Sequence, residues 1–151
     1  MQAANSTTPQ VKIAIIGAGF GGLAMAIRLL QNNIRDFVIL EKASVIGGTW
    51  RENQYPGAAC DVQSHLYSLS FSPKTDWSKR YAEAPEIYQY IQTLTAEHQL
   101  QPYIRFNTEV SAAHYLENQC LWQLTLNQNE TLTAQFVIFA SGPLHVPQIP
   151  H

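Results

Sequence analysis

The spacing of apolar and polar positions predicts alternating strands and helices at the start of the chain. Residues 11–16 are apolar apart from Lys12, which is typical of a strand buried on both faces of a parallel sheet. Apolar positions then recur at helical spacing, and residues 36–40 form a second apolar run. The helical positions are Leu23, Ala26, Ile27 and Leu30, with Arg28 and Gln31 left for the outer face. This order predicts a βαβ unit.

The rest of the chain predicts a loop, a helix and a group of strands. Residues 43–76 have no regular period, and long ordered loops usually have a function. A helix follows, with Pro85 in its first turn. The predicted strands are 104–106, an antiparallel meander of 110–115, 121–126 and 131–134, and a buried closing strand at 136–140. The fold class is therefore α/β, a Rossmann-like domain with a parallel sheet and a small antiparallel β-meander.

A glycine motif follows the first predicted strand. Gly17, Gly19 and Gly22 fit G-x-G-x-x-G, the turn that carries a dinucleotide pyrophosphate. Gly17 permits the tight turn, Gly19 lets the backbone approach the phosphates, and Gly22 allows the helix to pack closely on the sheet. The unpaired N–H groups and the dipole at the helix N-terminus favour negative charge, so the motif predicts a phosphate site.

An acid ends the second predicted strand. Glu41 lies 19 residues after Gly22, where a ribose hydroxyl needs its acceptor. Its carboxylate should repel a ribose 2′-phosphate, so we expect FAD or NAD here rather than NADP. The alternative is a glycine-rich turn beside a charged strand end.

Composition limits the classes of protein to which this chain can belong. The chain of 151 residues is 46% hydrophobic and 13% charged, with a net charge of −2, so charge gives no argument for binding nucleic acid or an anionic membrane. Several glycines interrupt the apolar run at residues 13–27, and Arg28 ends it well short of the roughly 20 residues of a membrane helix, which argues against a transmembrane segment. Two cysteines without metal-type spacing predict reduced thiols, no metal site and a cytoplasmic protein. We expect residues 1–10 to be a disordered tail and 11–151 to form the domain.

Several stretches resemble the flavin-dependent monooxygenases, which include the Baeyer-Villiger and the flavin-containing monooxygenases. The run Gly47-Gly48-Thr49-Trp50-Arg51 is followed by Tyr55-Pro56-Gly57-Ala58-Ala59-Cys60-Asp61, a combination that looks most like the Baeyer-Villiger branch. Residues 65–71, 140–144 and 147–150 match as well, so the resemblance covers residues 11–150. Disulfide reductases place a redox cysteine where Trp50 stands, so a dithiol relay is not expected.

The resemblance implies a function for a longer protein. It implies FAD bound in this chain, NADPH bound by a domain outside it, and oxygenation of a small organic substrate by O2 through a flavin peroxide. The chain would be an incomplete FAD-binding domain, inactive alone, of an enzyme that converts ketones or oxygenates heteroatoms. Two alternatives stay open: a non-catalytic FAD-binding module, and a flavin reductase or dehydrogenase that does not oxygenate substrate.

The resemblance also implies a set of site residues. The expected cofactor-binding residues are Gly17, Gly19, Phe20, Gly22, Glu41, Lys42, Gly48, Thr49, Trp50, Asp61, Val110, Ala140, Ser141 and Gly142. Asp61 would also act in catalysis, by orienting an arginine from outside this chain. The alternative interpretations are a loop anchor for Trp50, an ordinary strand residue for Val110 and a loop cap for Asp61.

Overall fold

A computed structural model of the protein describes residues 10–144 and 149–150. Residues 1–9, most of the expected tail, lie outside the described part. The elements, in chain order, are β1 Gln10–Ile16, α1 Phe20–Gln31, β2 Phe37–Leu40, α2 Thr49–Glu52, α3 Ala84–Glu97, β3 Ile104–Arg105, β4 Val110–Leu116, β5 Leu121–Leu126 and β6 Glu130–Phe139. Short 3-10 helices occupy Ser64–Leu66, Gln101–Tyr103 and Glu117–Gln119.

The six strands form one mixed sheet in the order β3-β2-β1-β6-β5-β4. β1 lies parallel to β2 and to β6, and β2 lies parallel to β3. β4, β5 and β6 pair antiparallel. The α/β class, the βαβ unit and the meander are thus confirmed, and Arg28 and Gln31 are exposed on the outer face of α1 as expected.

The prediction of two separate strands near the end of the chain is wrong. Residues 131–134 and 136–140 were expected to be separate strands, but they form the single strand β6. Thr133 and Ala134 pair with β1 on one side and with β5 on the other, so the two parts overlap. The strand contains no glycine or proline that would end it.

The second half of β6 is also less buried than predicted. Phe136 and Phe139 keep 57% and 62% of their surface exposed. Their positions in β6 lie beyond the residues that β5 covers, since β5 pairs only with Glu130 to Ala134. The hydrophobic run therefore did not reveal that β5 ends before this half of the strand.

Two apolar clusters cover the two faces of the sheet. Ile15 and Ile39 belong to the cluster formed with α1 and α3, whereas Ala14 and Leu40 belong to a second cluster. Because neighbouring residues of a strand point to opposite faces, the helices cover one face and the second cluster covers the other. The meander supplies Leu124, Leu126, Leu132 and Ala134 to the second cluster.

The segment predicted as a long loop contains short regular elements. α2 and the 3-10 helix Ser64–Leu66 both lie within it, and they are too short for their periodicity to be recognised. Tyr90 of α3 ties the segment down, because its hydroxyl donates to the carbonyl of Ser72 at 2.6 Å and accepts from the N–H of Leu69 at 2.9 Å. In the described part of the chain, no helix is long and apolar enough to cross a membrane.

Candidate cofactor site

A cleft of about 930 Å³ opens at the carboxyl ends of the parallel strands. Ile16 at the end of β1, Leu40 at the end of β2 and Ala140 after β6 all line it. This edge of an open α/β sheet is where ligands bind. The volume lies in the upper part of the range of roughly 300–1,000 Å³ that ligand pockets occupy.

The cleft gathers all the predicted site residues except one. Those that line it are Gly17, Gly19, Phe20, Glu41, Lys42, Gly48, Thr49, Trp50, Asp61, Val110, Ala140, Ser141 and Gly142. Gly22 does not line the cleft, because it is buried beneath the turn, against the carbonyl of Gly17. Arg51, Cys60, Tyr67 and Thr108 line the cleft although the sequence assigned them no role there.

The glycine turn has the geometry that a phosphate requires. Gly17 has φ +102°, and a Cβ on it would lie 2.7 Å from the carbonyl oxygen of Ala140. Gly19 is the N-cap of α1, and no side chain caps the first turn, which also contains no acid. The N–H groups of that turn are therefore available at the wall of the cleft, where the helix dipole favours an anion.

Glu41 is held in place by the backbone on both sides. Only 4% of the residue is exposed. The N–H of Ala18 donates to its Oε2 at 2.8 Å, and the N–H of Ala43 donates to its Oε1 at 2.9 Å. An ionised carboxylate has about four lone-pair sites. Acceptor capacity therefore remains for the hydroxyl groups of a ribose, so the residue fits the predicted role.

Arg51 places a positive charge beside this carboxylate. Its Nη1 lies 3.4 Å from Glu41 Oε1 and donates to the carbonyl of Val45 at 2.6 Å. The Arg51 side chain is only 13% exposed, so the guanidinium reduces the cost of keeping the Glu41 charge out of water. Arg51 belongs to a stretch that resembles the flavin-dependent monooxygenases, but no pattern in the sequence indicates its pairing with Glu41.

The loop before β4 is fixed next to Glu41. The N–H of Thr108 donates to the carbonyl of Glu41 at 2.9 Å, and the N–H of Glu109 donates to Oδ1 of Asn127 at 2.9 Å. Val110 follows and packs partly against the meander cluster. It is thus a strand residue that also lines the cleft, and both interpretations of Val110 agree with its position.

Aromatic rings form the wall that adjoins α2. The indole N–H of Trp50 donates to the hydroxyl oxygen of Tyr67 at 3.1 Å, with ring centroids 5.7 Å apart at 80°. Phe20 lies against Tyr67, 5.3 Å between centroids. Burial raises the pKa of the Tyr67 phenol, the hydrogen bond from Trp50 lowers it, and electrostatic interaction with the neighbouring Cys60 and Asp61 raises it further. The phenol therefore keeps its proton at neutral pH.

Asp61 lies exposed in the cleft beside Cys60. Its Oδ1 is 4.0 Å from Cys60 Sγ, and it forms no ion pair within residues 10–144. The carboxylate is accessible to a cation that comes from elsewhere. Both cysteines of the chain are free thiols, and no group of metal ligands is found among the described residues.

The turn after β6 completes the cleft. Gly142 has φ +69°, a conformation that side chains rarely adopt. The amide of Asn53 donates to the carbonyl of Leu144 at 3.3 Å, which links this turn to α2. Ser141 is exposed and lines the cleft.

Comparison with known proteins agrees with this geometry. A family model described as pyridine nucleotide-disulphide oxidoreductase matches residues 14–151. A Baeyer-Villiger monooxygenase of Streptomyces coelicolor is 44% identical over 140 residues, which cover 93% of this chain and 27% of the relative. One from Pseudomonas aeruginosa is 46% identical over 92% of this chain and 26% of its own length. This chain thus spans about a quarter of the length of these relatives.

Solved structures of monooxygenases also match this chain. The closed crystal structure of cyclohexanone monooxygenase matches with a TM-score of 0.88 and 36% identity, over 96% of this chain and 28% of that one. Oxidised steroid monooxygenase bound to NADP matches with a TM-score of 0.86 and 35% identity, over 94% of this chain and 28% of that one. The fold is therefore the FAD-binding, Rossmann-like domain of monooxygenase structures. The chain belongs to the pyridine nucleotide-disulphide oxidoreductase family, and it is similar to flavin-dependent monooxygenases of Baeyer-Villiger type over about a quarter of their length.

Proposed function

We propose that the cleft holds FAD and that the full-length protein is an NADPH- and O2-dependent monooxygenase. The observation that carries the FAD proposal is the orientation of Glu41 by the N–H groups of Ala18 and Ala43, next to the uncapped N-terminus of α1. This arrangement offers an acceptor for a ribose and donors for a pyrophosphate within one cleft. The names of the relatives support the choice of FAD and of oxygenation.

Each part of the cleft suits one part of the cofactor. Gly19 and the first turn of α1 would bind the pyrophosphate, Glu41 the ribose of the adenosine half, and the backbone at Val110 the adenine. Thr49 and Trp50 would lie along the flavin half, where the hydroxyl donates and the indole excludes water. Bound FAD supplies the redox and oxygen-activating chemistry.

Asp61 has the position needed to hold a cation at the flavin end of the cleft. Its carboxylate is exposed there and unpaired within the described residues. A fixed cation stabilises negative charge that develops on the reacting oxygen, and a carboxylate beside the cation keeps it in place. We propose that an arginine outside this chain is that cation.

We propose a small ketone or a heteroatom compound as the substrate. Disulfide reduction is not proposed, although the family name includes it, because the two cysteines are 60 positions apart in sequence and neither is paired. The cytoplasmic location predicted from these thiols remains part of the proposal.

The test is oxygen consumption by the full-length protein with NADPH and either a cyclic ketone or a thioether. The proposal predicts that an ester or a sulfoxide forms in proportion to the NADPH oxidised. Formation of hydrogen peroxide alone, with every substrate tried, would favour a reductase or dehydrogenase instead. Failure of the protein to retain FAD would refute the cofactor assignment as well.

A further inference from the structure

Tyr67 contacts two other residues of the cleft. No pattern in the sequence indicates a function for this tyrosine. Its hydroxyl oxygen accepts the indole N–H of Trp50, and its ring packs against Phe20, which begins α1. All three side chains line the cleft. Tyr67 therefore links α1, which follows the glycine turn, to Trp50 of α2.

The tyrosine itself is supported from behind. Phe20 also lies against Tyr90 of α3, with 6.0 Å between ring centroids. The hydroxyl of Tyr90 bonds to Leu69 and Ser72, which follow Tyr67 along the chain. The position of Tyr67 is thus determined by two neighbouring elements, whereas among the described residues the indole N–H of Trp50 bonds to Tyr67 alone.

We propose that Tyr67 is a positioning residue that fixes the indole of Trp50 against the flavin half of the bound cofactor. This inference rests on the proposed FAD site. A ring that is already ordered loses little conformational freedom when a ligand binds, so preorganisation by Tyr67 strengthens binding. Because its N–H is bonded to Tyr67, the indole ring keeps one orientation. The same edge of the ring therefore faces the cofactor.

Four proteins form the central test: wild type, Tyr67→Phe, Trp50→Phe and the double variant, each as the full-length protein. Tyr67→Phe keeps the ring and removes only the hydroxyl group, whose oxygen accepts the indole N–H of Trp50. We expect it to raise the FAD dissociation constant roughly threefold to tenfold, the effect of losing one hydrogen bond. Because Trp50→Phe has already removed the donor, adding Tyr67→Phe to it should change the constant no further.

A spectroscopic measurement accompanies the affinities. The fluorescence lifetime of bound flavin depends on the distance and orientation of nearby aromatic rings. We expect one lifetime population in wild type and an additional one in Tyr67→Phe, where the indole is free to turn.

Tyr103→Phe is the matched control. It also removes the hydroxyl of a half-buried tyrosine, one that accepts a hydrogen bond from Nη1 of Arg35 at 3.5 Å, but Tyr103 does not line the cleft. We expect FAD affinity and flavin lifetimes in Tyr103→Phe to stay as in wild type. The same reduction of affinity in Tyr103→Phe and Tyr67→Phe would mean that the effect does not come from the contact with Trp50, which would overturn the inference.

The remaining outcomes separate the two proposals. Should Tyr67→Phe weaken FAD equally with and without Trp50, the tyrosine acts directly and the positioning inference is wrong. If wild type binds FAD and Tyr67→Phe changes neither affinity nor lifetime, only this inference fails. A wild-type protein that binds no FAD would overturn the proposed function and this inference together.

Discussion

Gly22 lies so close to Gly17 that a Cβ on Gly22 would be 2.0 Å from the Gly17 carbonyl oxygen. The contact joins the first turn of α1 to the end of β1, and the Cβ would also lie 3.4 Å from the side chain of Ile15. Gly22 therefore shapes the glycine turn from below and does not face the cleft. The third glycine of the motif sets the distance between helix and sheet.

Gly22→Ala should be strongly destabilising. The methyl group meets backbone on one side and core on the other, so the helix has to move away from the sheet. We expect a loss of about 3 kcal/mol or more in unfolding free energy, at the upper end of overpacking effects. Urea unfolding of the full-length protein, followed by circular dichroism, measures it.

Gly21→Ala is the control one residue away. A Cβ on Gly21 would have only Ala140 Cβ within reach, at 4.0 Å. Alanine is also the better helix former, by up to about 1 kcal/mol. Equal destabilisation by the two substitutions would contradict the role given to Gly22.

Glu41→Gln should weaken FAD binding and destabilise the fold together. Both carboxylate oxygens accept backbone N–H groups, and an amide nitrogen in either place would face a donor. We expect a loss of about 1–3 kcal/mol in unfolding free energy from the unpaired buried donor. Calorimetric titration with FAD should show a dissociation constant at least about tenfold higher, because 1.4 kcal/mol corresponds to a factor of ten.

Exposed Glu117 offers the comparison for that substitution. Glu117→Gln makes the same chemical change on the 3-10 helix between β4 and β5. Its FAD affinity and stability should equal those of wild type. Unchanged FAD affinity in Glu41→Gln would mean that the ribose does not bind there.

Stability should fall in alkaline solution because of Tyr67. Burial raises the pKa of its phenol above the usual 10.0, so the folded state holds the proton more tightly than the unfolded state does. The contribution is fully present below pH 10.0 and is lost as pH rises through the raised pKa of the folded state. Unfolding midpoints measured from pH 9 upward should therefore decline less steeply in Tyr67→Phe than in wild type. Equal slopes would contradict this.

Burial also raises the pKa of Tyr90. Tyr90→Phe should therefore flatten the alkaline decline as well, although Tyr90 does not line the cleft. Tyr55→Phe removes a tyrosine that is 63% exposed and serves as the comparison for both variants.

Asp61→Asn should separate cofactor binding from oxygenation. The carboxylate is exposed and accepts no hydrogen bond from a backbone N–H of the described residues, so the fold and FAD affinity should change little. Losing the charge that holds the proposed arginine should lower formation of oxygenated product at least about tenfold, as removal of oxyanion-stabilising groups does. Product analysis alongside NADPH oxidation tests this. Full product yield in Asp61→Asn would leave Asp61 as a loop cap.

The parallel core was predictable because its residues follow simple periods. β1 and β2 are short apolar runs, α1 repeats its apolar positions at helical spacing, and glycine and acid stand at the strand ends. The error at β6 has a physical cause. Residues 130–139 change partner from β5 to β1 without any residue that breaks a strand, so only long-range pairing reveals one strand instead of two.

The site was predictable where it depends on backbone shape, and less so where it depends on contacts between distant side chains. The glycine turns are visible in the sequence because few residues other than glycine tolerate their conformations. The pairing of Arg51 with Glu41 and of Trp50 with Tyr67 joins residues that are 10 and 17 positions apart. Neither spacing matches the period of a helix or of a strand, so no pattern in the sequence indicates these contacts.

The most direct test of the account is the flavin content of the purified full-length protein, wild type beside Glu41→Gln. The account predicts one FAD per chain in wild type, retained through gel filtration, and FAD lost from Glu41→Gln while the variant stays folded at low temperature. A wild-type protein without FAD, or a Glu41→Gln variant that retains it equally well, would contradict the assignment of this cleft.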